Sequence, residues 1–242
     1  MSASAAAPDP TTTPDPAGRP TGPTPARADP ETIDATAVRA ALRRCQEIVE
    51  RHAGYLTRLD RVLGDGDHGD NLVIGFRAVA ALLEELPRET LPGELLQAVG
   101  HRLVAAVGGA SGPLYGTAFL EAGVRADDRA VLDGPAIAAM LTGAADGLAR
   151  RGRCTVGDKT ILDTLAPAAA ELSAALETGV PIGPAWGGAV RAAAAGARST
   201  RSLVARRGLA LRLGERSVGH LDPGAVSCLL LLCALGGRRG RP

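Results

Sequence analysis

Aromatic side chains are nearly missing from this chain of 242 residues: one Trp, two Tyr and two Phe, 2% of the total, against 45% hydrophobic residues overall. The core must therefore be built from Leu, Val, Ile and Ala, which suits close-packed helices better than strands, where aromatic and β-branched residues are favoured. An excess of either charge is missing too. With 27 basic and 26 acidic side chains the formal net charge is +1, which gives no single-sign field and no reason to expect nucleic acid as a partner. The four cysteines, Cys45, Cys154, Cys228 and Cys233, form no C-x-x-C pair. They read as free, buried thiols of a reducing compartment rather than a disulfide framework or a zinc site. No long hydrophobic run exists either. The most apolar segment, A-V-S-C-L-L-L-L-C-A-L, extends only from 225 to 235, well short of the roughly 20 residues that a membrane-spanning helix needs. The amino terminus, M-S-A-S-A-A-A-P, has no basic start and no apolar stretch, so it is not a secretory signal. A cytoplasmic protein with no membrane contact is expected.

What is present divides the chain. Residues 1–30 are Pro, Thr, Ala, Gly and Asp with almost no large apolar side chain, a composition that cannot offset its ordering entropy, so a disordered tail is predicted there. Residues 31–237 are predicted to form one domain, and 238–242 a frayed end. From Asp34, a plausible N-cap, Val38, Leu42, Cys45, Val49, His52 and Leu56 recur at steps of three and four, which predicts an amphipathic helix to about Asp60. Similar stripes run through Leu95–Val107, Ile137–Leu148 and Ile161–Leu176, the last with a kink expected at Pro167, and helices are predicted over 184–205 and 223–235. About eight helices and no strand result, an all-α single domain. Residues 209–220 alternate weakly and are predicted as an extended loop.

Four helix junctions break the pattern by combining glycine with polar residues: L-D-R-V-L-G-D-G-D-H-G-D-N at 59–71, G-G-A-S-G-P-L-Y-G-T at 108–117, G-D-K-T-I-L-D at 157–163 and G-E-R-S-V-G-H-L-D-P-G-A at 214–225. Violations of folding rules concentrate at working sites. In the first, Asp65 and Asp67 alternate with glycine and can fold back toward Asp60. Three carboxylates in one small volume repel unless a cation lies between them, and hard oxygen ligands select magnesium or calcium. An EF-hand is excluded, because the twelfth position counted from Asp65 is Phe76 rather than Glu. Magnesium keeps few carboxylates and completes its shell with water and phosphate; His68 to Asn71 open the next helix, whose amides suit an anion. The stretch thus reads as a metal–phosphate site, with a capped turn as the alternative. The second stretch offers amides to an anion but lacks the Lys of a Walker loop. Asp158-Lys159-Thr160 reads equally well as a capped helix start, and Asp222-Pro223-Gly224 is an ordinary N-cap with Pro in the first turn. His220 reads as a structural histidine before a base.

In this order, G-D-G-D-H-G-x-N, G-G-A-S-G-P-L-x-G-T, G-D-K-T and L-G-E-R-S-x-G-H-x-D-P-G-A resemble the nucleotide-binding L subunit of dihydroxyacetone kinase (the DhaL, or DAK2-domain, family), over about residues 34–237. The resemblance implies an antiparallel eight-helix barrel holding two magnesium ions and ADP or ATP at one rim. It implies metal binding by Asp60, Asp65 and Asp67. It implies nucleotide contacts at His68, Gly69, Asp70 and Asn71, at Ala110 and Ser111, at Gly152 and Ile161 beside the adenosine, and at Asp222, Pro223 and Gly224. Ile161 replaces a methionine of some members. It implies that no side chain acts as an acid or base. One departure stands out: where relatives read G-R-A-S-Y-L-G-E-R this chain reads G-L-A-L-R-L-G-E-R, so Leu209 occupies the place of a nucleotide-holding arginine and Arg212 that of an aromatic, with Arg206 and Arg207 just before. Either a neighbouring arginine substitutes or nucleotide affinity is weakened.

By the same resemblance the chain is half an enzyme. The substrate, dihydroxyacetone, is held covalently by a histidine of a separate K subunit, and a phosphohistidine-donating M subunit of the phosphotransferase system rephosphorylates the bound ADP. The H-G-x-N spelling with His68 and Asn71 favours this form over one in which ATP exchanges freely, whose members often carry cysteine at the His68 position. Other readings are a different small ketose or a lipid acyl group as substrate, or, in another class, a nucleotide-state reporter that binds a transcription regulator. A homodimer is left open.

Overall fold

The computed structural model describes residues 33–237 together with the first two. The tail expected over 1–30 falls almost wholly, and the frayed end expected over 238–242 wholly, outside the described residues. Eight α-helices carry the described fold: α1 (Ala35–Leu63), α2 (His68–Glu85), α3 (Pro92–Ala106), α4 (Ser111–Ala126), α5 (Gly134–Gly152), α6 (Leu162–Glu177), α7 (Ile182–Ser199) and α8 (Pro223–Leu235). Their starts obey local chemistry. Asp34 caps α1 by accepting from the Ala37 amide at 2.8 Å, Asp133 caps α5 from Ala136 at 2.9 Å, and Asp222 caps α8 from Ala225 at 2.7 Å. Pro167 lies inside α6.

Each helix packs against the next through the chain, and α8 packs back on α1. A ring closed in this way, with short connections everywhere but over 200–222 before α8, is an antiparallel eight-helix barrel. The expected fold therefore holds. The α3–α4 seam shows how tight the ring is: a side-chain carbon on Gly100 would stand 2.7 Å from the Gly116 carbonyl, and one on Gly116 2.8 Å from the Gly100 carbonyl, so these backbones touch without side chains between them. As the composition required, the core is aliphatic, with Leu42, Val49, Leu56, Leu72, Leu103, Leu148 and Leu172 buried around Phe76, which meets Phe119 edge-on at 6.5 Å.

Inside the ring lies an apolar cavity of about 590 Å³, walled by residues such as Leu96, Phe119, Met140, Leu165, Trp186 and Leu231. Arg44 stands at its edge with its guanidinium donating to the carbonyls of Ala234 and Leu235. All four cysteines are buried, and none forms a disulfide among the described residues; burial pushes the Cys45 thiol up to about 12. No helix among the described residues is long and apolar enough to cross a membrane.

Two expectations need correction. A two-residue strand pair exists where none was predicted: β1 (Ile33–Asp34) runs antiparallel to β2 (Val131–Leu132). It ties together the caps of α1 and α5, and it is too short to leave a periodic signal in the sequence. Residues 209–217 are not extended either. They form a 3-10 turn, η2 (Leu209–Ser217), broken at Gly214, and a shorter one, η1 (Thr200–Ser202), follows α7. Ala210 and Leu213 of η2 pack with Ala205 on Leu63 at the end of α1, and that long-range contact decides a conformation the weak alternation misread. The first helix also continues past Asp60 to Leu63.

Candidate functional site

The aspartate loop joins α1 to α2 at one end of the barrel. Asp60 lies in the last turn of α1, buried at 8% exposure, and its Oδ2 accepts from three successive amides, Gly66 at 3.0 Å, Asp67 at 3.0 Å and His68 at 3.2 Å. Those bonds curl the loop over the carboxylate. Gly66 permits the curl with φ of 79°, a left-handed conformation that side chains resist. One oxygen from each of Asp60, Asp65 and Asp67 then falls within 4.8 Å of the others. Asp67 occupies the cap position of α2 without using its side chain as a cap, and burial, followed by the charges of Asp65 and Asp60, raises its carboxyl above the usual range, against a hydrogen bond from Asn71 that lowers it. Crowded carboxylates with no ion pair to a basic side chain among the described residues are a donor set for a hard divalent cation.

Three helix N-termini meet beside this cluster. His68 opens α2; its Nδ1 lies 3.0 Å from Ser111 Oγ, the first residue of α4, and its Nε2 lies 2.8 Å from Ser227 Oγ in the first turns of α8. Ser227 is fully buried and also lies 2.6 Å from the Tyr115 hydroxyl. The chain Ser111–His68–Ser227–Tyr115 thus pins α2, α4 and α8 to one another. Burial keeps His68 below its ordinary value, opposed by Asp60 and Asp65. Convergent N-termini present unpaired amides and the positive ends of helix dipoles, the arrangement that holds phosphate. The approach of α2 to α1 depends on Gly69, where a side-chain carbon would stand 2.1 Å from the Ala53 carbonyl.

A second cavity, of about 320 Å³, opens here, and its wall includes His68, Ala110, Ser111, Gly152, Ile161, Asp222 and Gly224. Those seven expected nucleotide contacts, drawn from four separate stretches, are brought together. The other four are not on its wall: Gly69 is buried against α1, Asp70 is exposed on the first turn of α2, Asn71 lies beside Asp67 and Gly108, and Pro223 is buried in the first turn of α8. Leu209, 43% exposed, is absent from the wall as well. His220 is exposed, and its contribution is its carbonyl, which accepts from the Lys159 ammonium along with that of Thr200. Lys159 itself is 2% exposed, with φ of 62°, and burial lowers its pKa against the raising charges of Asp222 and Asp163. Asp163 receives the Gly157 and Thr160 amides at 2.6 and 2.7 Å, so the G-D-K-T stretch is a loop tied back from α6 rather than a simple capped start. Burial lifts Asp222 to about 7 despite the Ala225 amide and Lys159.

The motif reading passed over Tyr115, Cys154 and Ser227; it weighed Lys159 and Thr160 only as part of a capped start and named Arg207 only as a neighbouring arginine that could substitute for the missing one. Tyr115 and Lys159 lay inside quoted stretches; Ser227 is hidden in the apolar run of α8, where one hydroxyl among leucines is the sole signal.

A DAK2-domain model matches residues 62–237. The chain belongs to the DAK2-domain family. It is 41% identical over 186 residues to the ADP-binding subunit DhaL of a PEP-dependent dihydroxyacetone kinase of Listeria innocua, covering 76% of this chain and 86% of that protein. It is 39% identical to the corresponding DhaL subunit of Escherichia coli, covering 79% of this chain and 90% of that one. Among solved structures, the dihydroxyacetone kinase of C. freundii in complex with AMP-PNP and Mg2+ superposes with a TM-score of 0.64 at 26% identity, over 96% of this chain and 38% of that longer one.

Proposed function

We propose that this DAK2-domain chain is the ADP- and magnesium-binding phosphoryl-transfer subunit of a dihydroxyacetone kinase, accepting phosphate from a phosphohistidine-donating M subunit and passing it to dihydroxyacetone held on a K subunit. The observation that carries the reading is the juxtaposition of the Asp60–Asp65–Asp67 oxygens, within 4.8 Å of one another, with the His68–Ser111–Ser227 junction of three helix N-termini. Extensive similarity to DhaL subunits of PEP-dependent kinases supports the donor.

The residues fit the groups they would hold. Asp60, Asp65 and Asp67 supply hard oxygen donors for two magnesium ions, and Asp60 keeps its second oxygen for the loop amides. Bound magnesium neutralises charge on the phosphate oxygens, the main electrostatic task in phosphoryl transfer. The remaining work is positioning. The first turns of α2 and α4, with their positive dipole ends, at His68, Gly69, Asp70, Asn71, Ala110 and Ser111, orient the phosphates. Gly152 and Ile161 flank the adenosine, and Asp222, Pro223 and Gly224 close the site from α8. No side chain has to take up a proton. The site lies at the barrel's end, so a K subunit can present its substrate there, in the cytoplasm where phosphoenolpyruvate is made.

The test is a reconstituted assay with K and M subunits. Dihydroxyacetone phosphate should form from phosphoenolpyruvate when catalytic amounts of ADP are bound, and Asp67→Ala should abolish it. Turnover with ATP alone and none with phosphoenolpyruvate and M would reverse the choice of donor.

A further inference from the structure

The segment between α7 and η2 carries Arg206 and Arg207, and η2 adds Arg212. All are exposed, but only Arg207 reaches the wall of the rim cavity. The reason is Asp158. Its carboxylate is buried at 7% side-chain exposure and its Oδ2 lies 3.2 Å from Arg207 Nε, while its carbonyl accepts from the Arg206 amide at 3.1 Å. One residue thus fixes the segment's backbone and turns one of its two arginines inward. Ala205 and Ala210, on either side, pack on Leu63, the residue immediately before the aspartate loop. The inward arginine is therefore carried by a segment seated against the metal end of the site.

The other cations on the cavity wall are differently occupied. The Lys159 ammonium is taken by two carbonyls. Arg151 is exposed, with no ion pair among the described residues to hold its head. In Arg207 the Nε is anchored, while neither Nη group has a partner among the described residues, and a guanidinium fork matches phosphate oxygens in pairs.

We propose that Arg207 is the side chain that binds the nucleotide's phosphates in this protein, pre-oriented by Asp158. The proposal rests on the nucleotide reading above. Calorimetric titration of the full chain with ADP in excess magnesium tests it. Arg207→Ala should weaken ADP binding about tenfold or more, as expected for losing a charge-assisted hydrogen-bond pair, and flatten its dependence on ionic strength. Arg207→Gln keeps the stem and should lose nearly as much, while Arg206→Ala and Arg212→Ala should bind like the unaltered protein. Thermal melting checks that each variant is folded. Unchanged affinity in Arg207→Ala and Arg207→Gln, or equal losses in all the arginine variants, would overturn the assignment while an Asp65→Ala-sensitive affinity leaves the nucleotide reading standing. An unaltered protein that binds no ADP would remove both.

Discussion

The barrel holds two cavities that share Tyr115 and Ile161 as a wall and differ in almost everything else. The interior one, about 590 Å³, is enclosed by helix faces whose side chains follow the helical period. The rim one, about 320 Å³, is built from junctions, with glycines, caps and three helix N-termini. The walls of the larger belong to the apolar core, and charged side chains gather at the smaller. A buried leucine gains by leaving water, whereas a crowded aspartate costs stability until a cation arrives. Core and site should therefore respond in opposite ways to truncation.

Phe76→Ala gives the largest effect. Phe76 is fully buried, so the loss should be about 3–5 kcal/mol of unfolding free energy, read by urea denaturation, with ADP affinity little changed in the molecules that stay folded. Asp65→Ala should do the reverse. Without metal its stability should equal or slightly exceed that of the unaltered protein, because a repulsive charge is gone; magnesium-dependent ADP affinity should fall roughly a hundredfold or more, about 2.7 kcal/mol, by calorimetry. Equal affinity in the two proteins would refute the metal assignment. Ser227 lies behind the shared wall, bonded to Tyr115, so Ser227→Ala should register on both sides. It leaves His68 Nε2 and the Tyr115 hydroxyl short of a partner, costing about 1–3 kcal/mol of stability and weakening ADP binding severalfold as α2 and α8 lose their tie.

A smaller effect sharpens the contrast through pH. Asp222 has its ordinary value of 3.8 in the unfolded chain and about 7 in the folded one. Between those values only the folded chain keeps the proton, so this group's contribution to stability is full below about 3.8 and is lost as pH rises through about 7. Nucleotide-free protein should lose stability relative to Asp222→Asn between pH 5 and 8. Parallel curves would show that the carboxyl ionises freely.

Much of this was legible in the residues. The caps Asp34 and Asp222 and the apolar stripes are local, and local periodicity survives folding. The aspartate trio was legible because its members lie within eight positions and glycine leaves them one way to cluster. Asp70, in the same run, was grouped with the nucleotide contacts, yet it faces solvent on the first turn of α2. The 3-10 turn at 209–217 and the β1–β2 pair were not legible, because each is decided by a contact distant in sequence, with Leu63 in one case and between Ile33 and Leu132, 99 positions apart, in the other.

By itself the amino-acid sequence determined the helices, their starts and the chemistry of the acidic loop, since all of these depend on neighbours within a turn or two. Tertiary structure decided which distant groups meet. Closing the ring brings Ser227 to His68, 159 positions away, and creates one apolar and one polar cavity on either side of Tyr115. It also decided that Arg207, rather than Arg206 or Arg212, faces the site, because a buried carboxylate at Asp158 draws one guanidinium inward, and no property of those three arginine side chains alone distinguishes the one that lies within its reach.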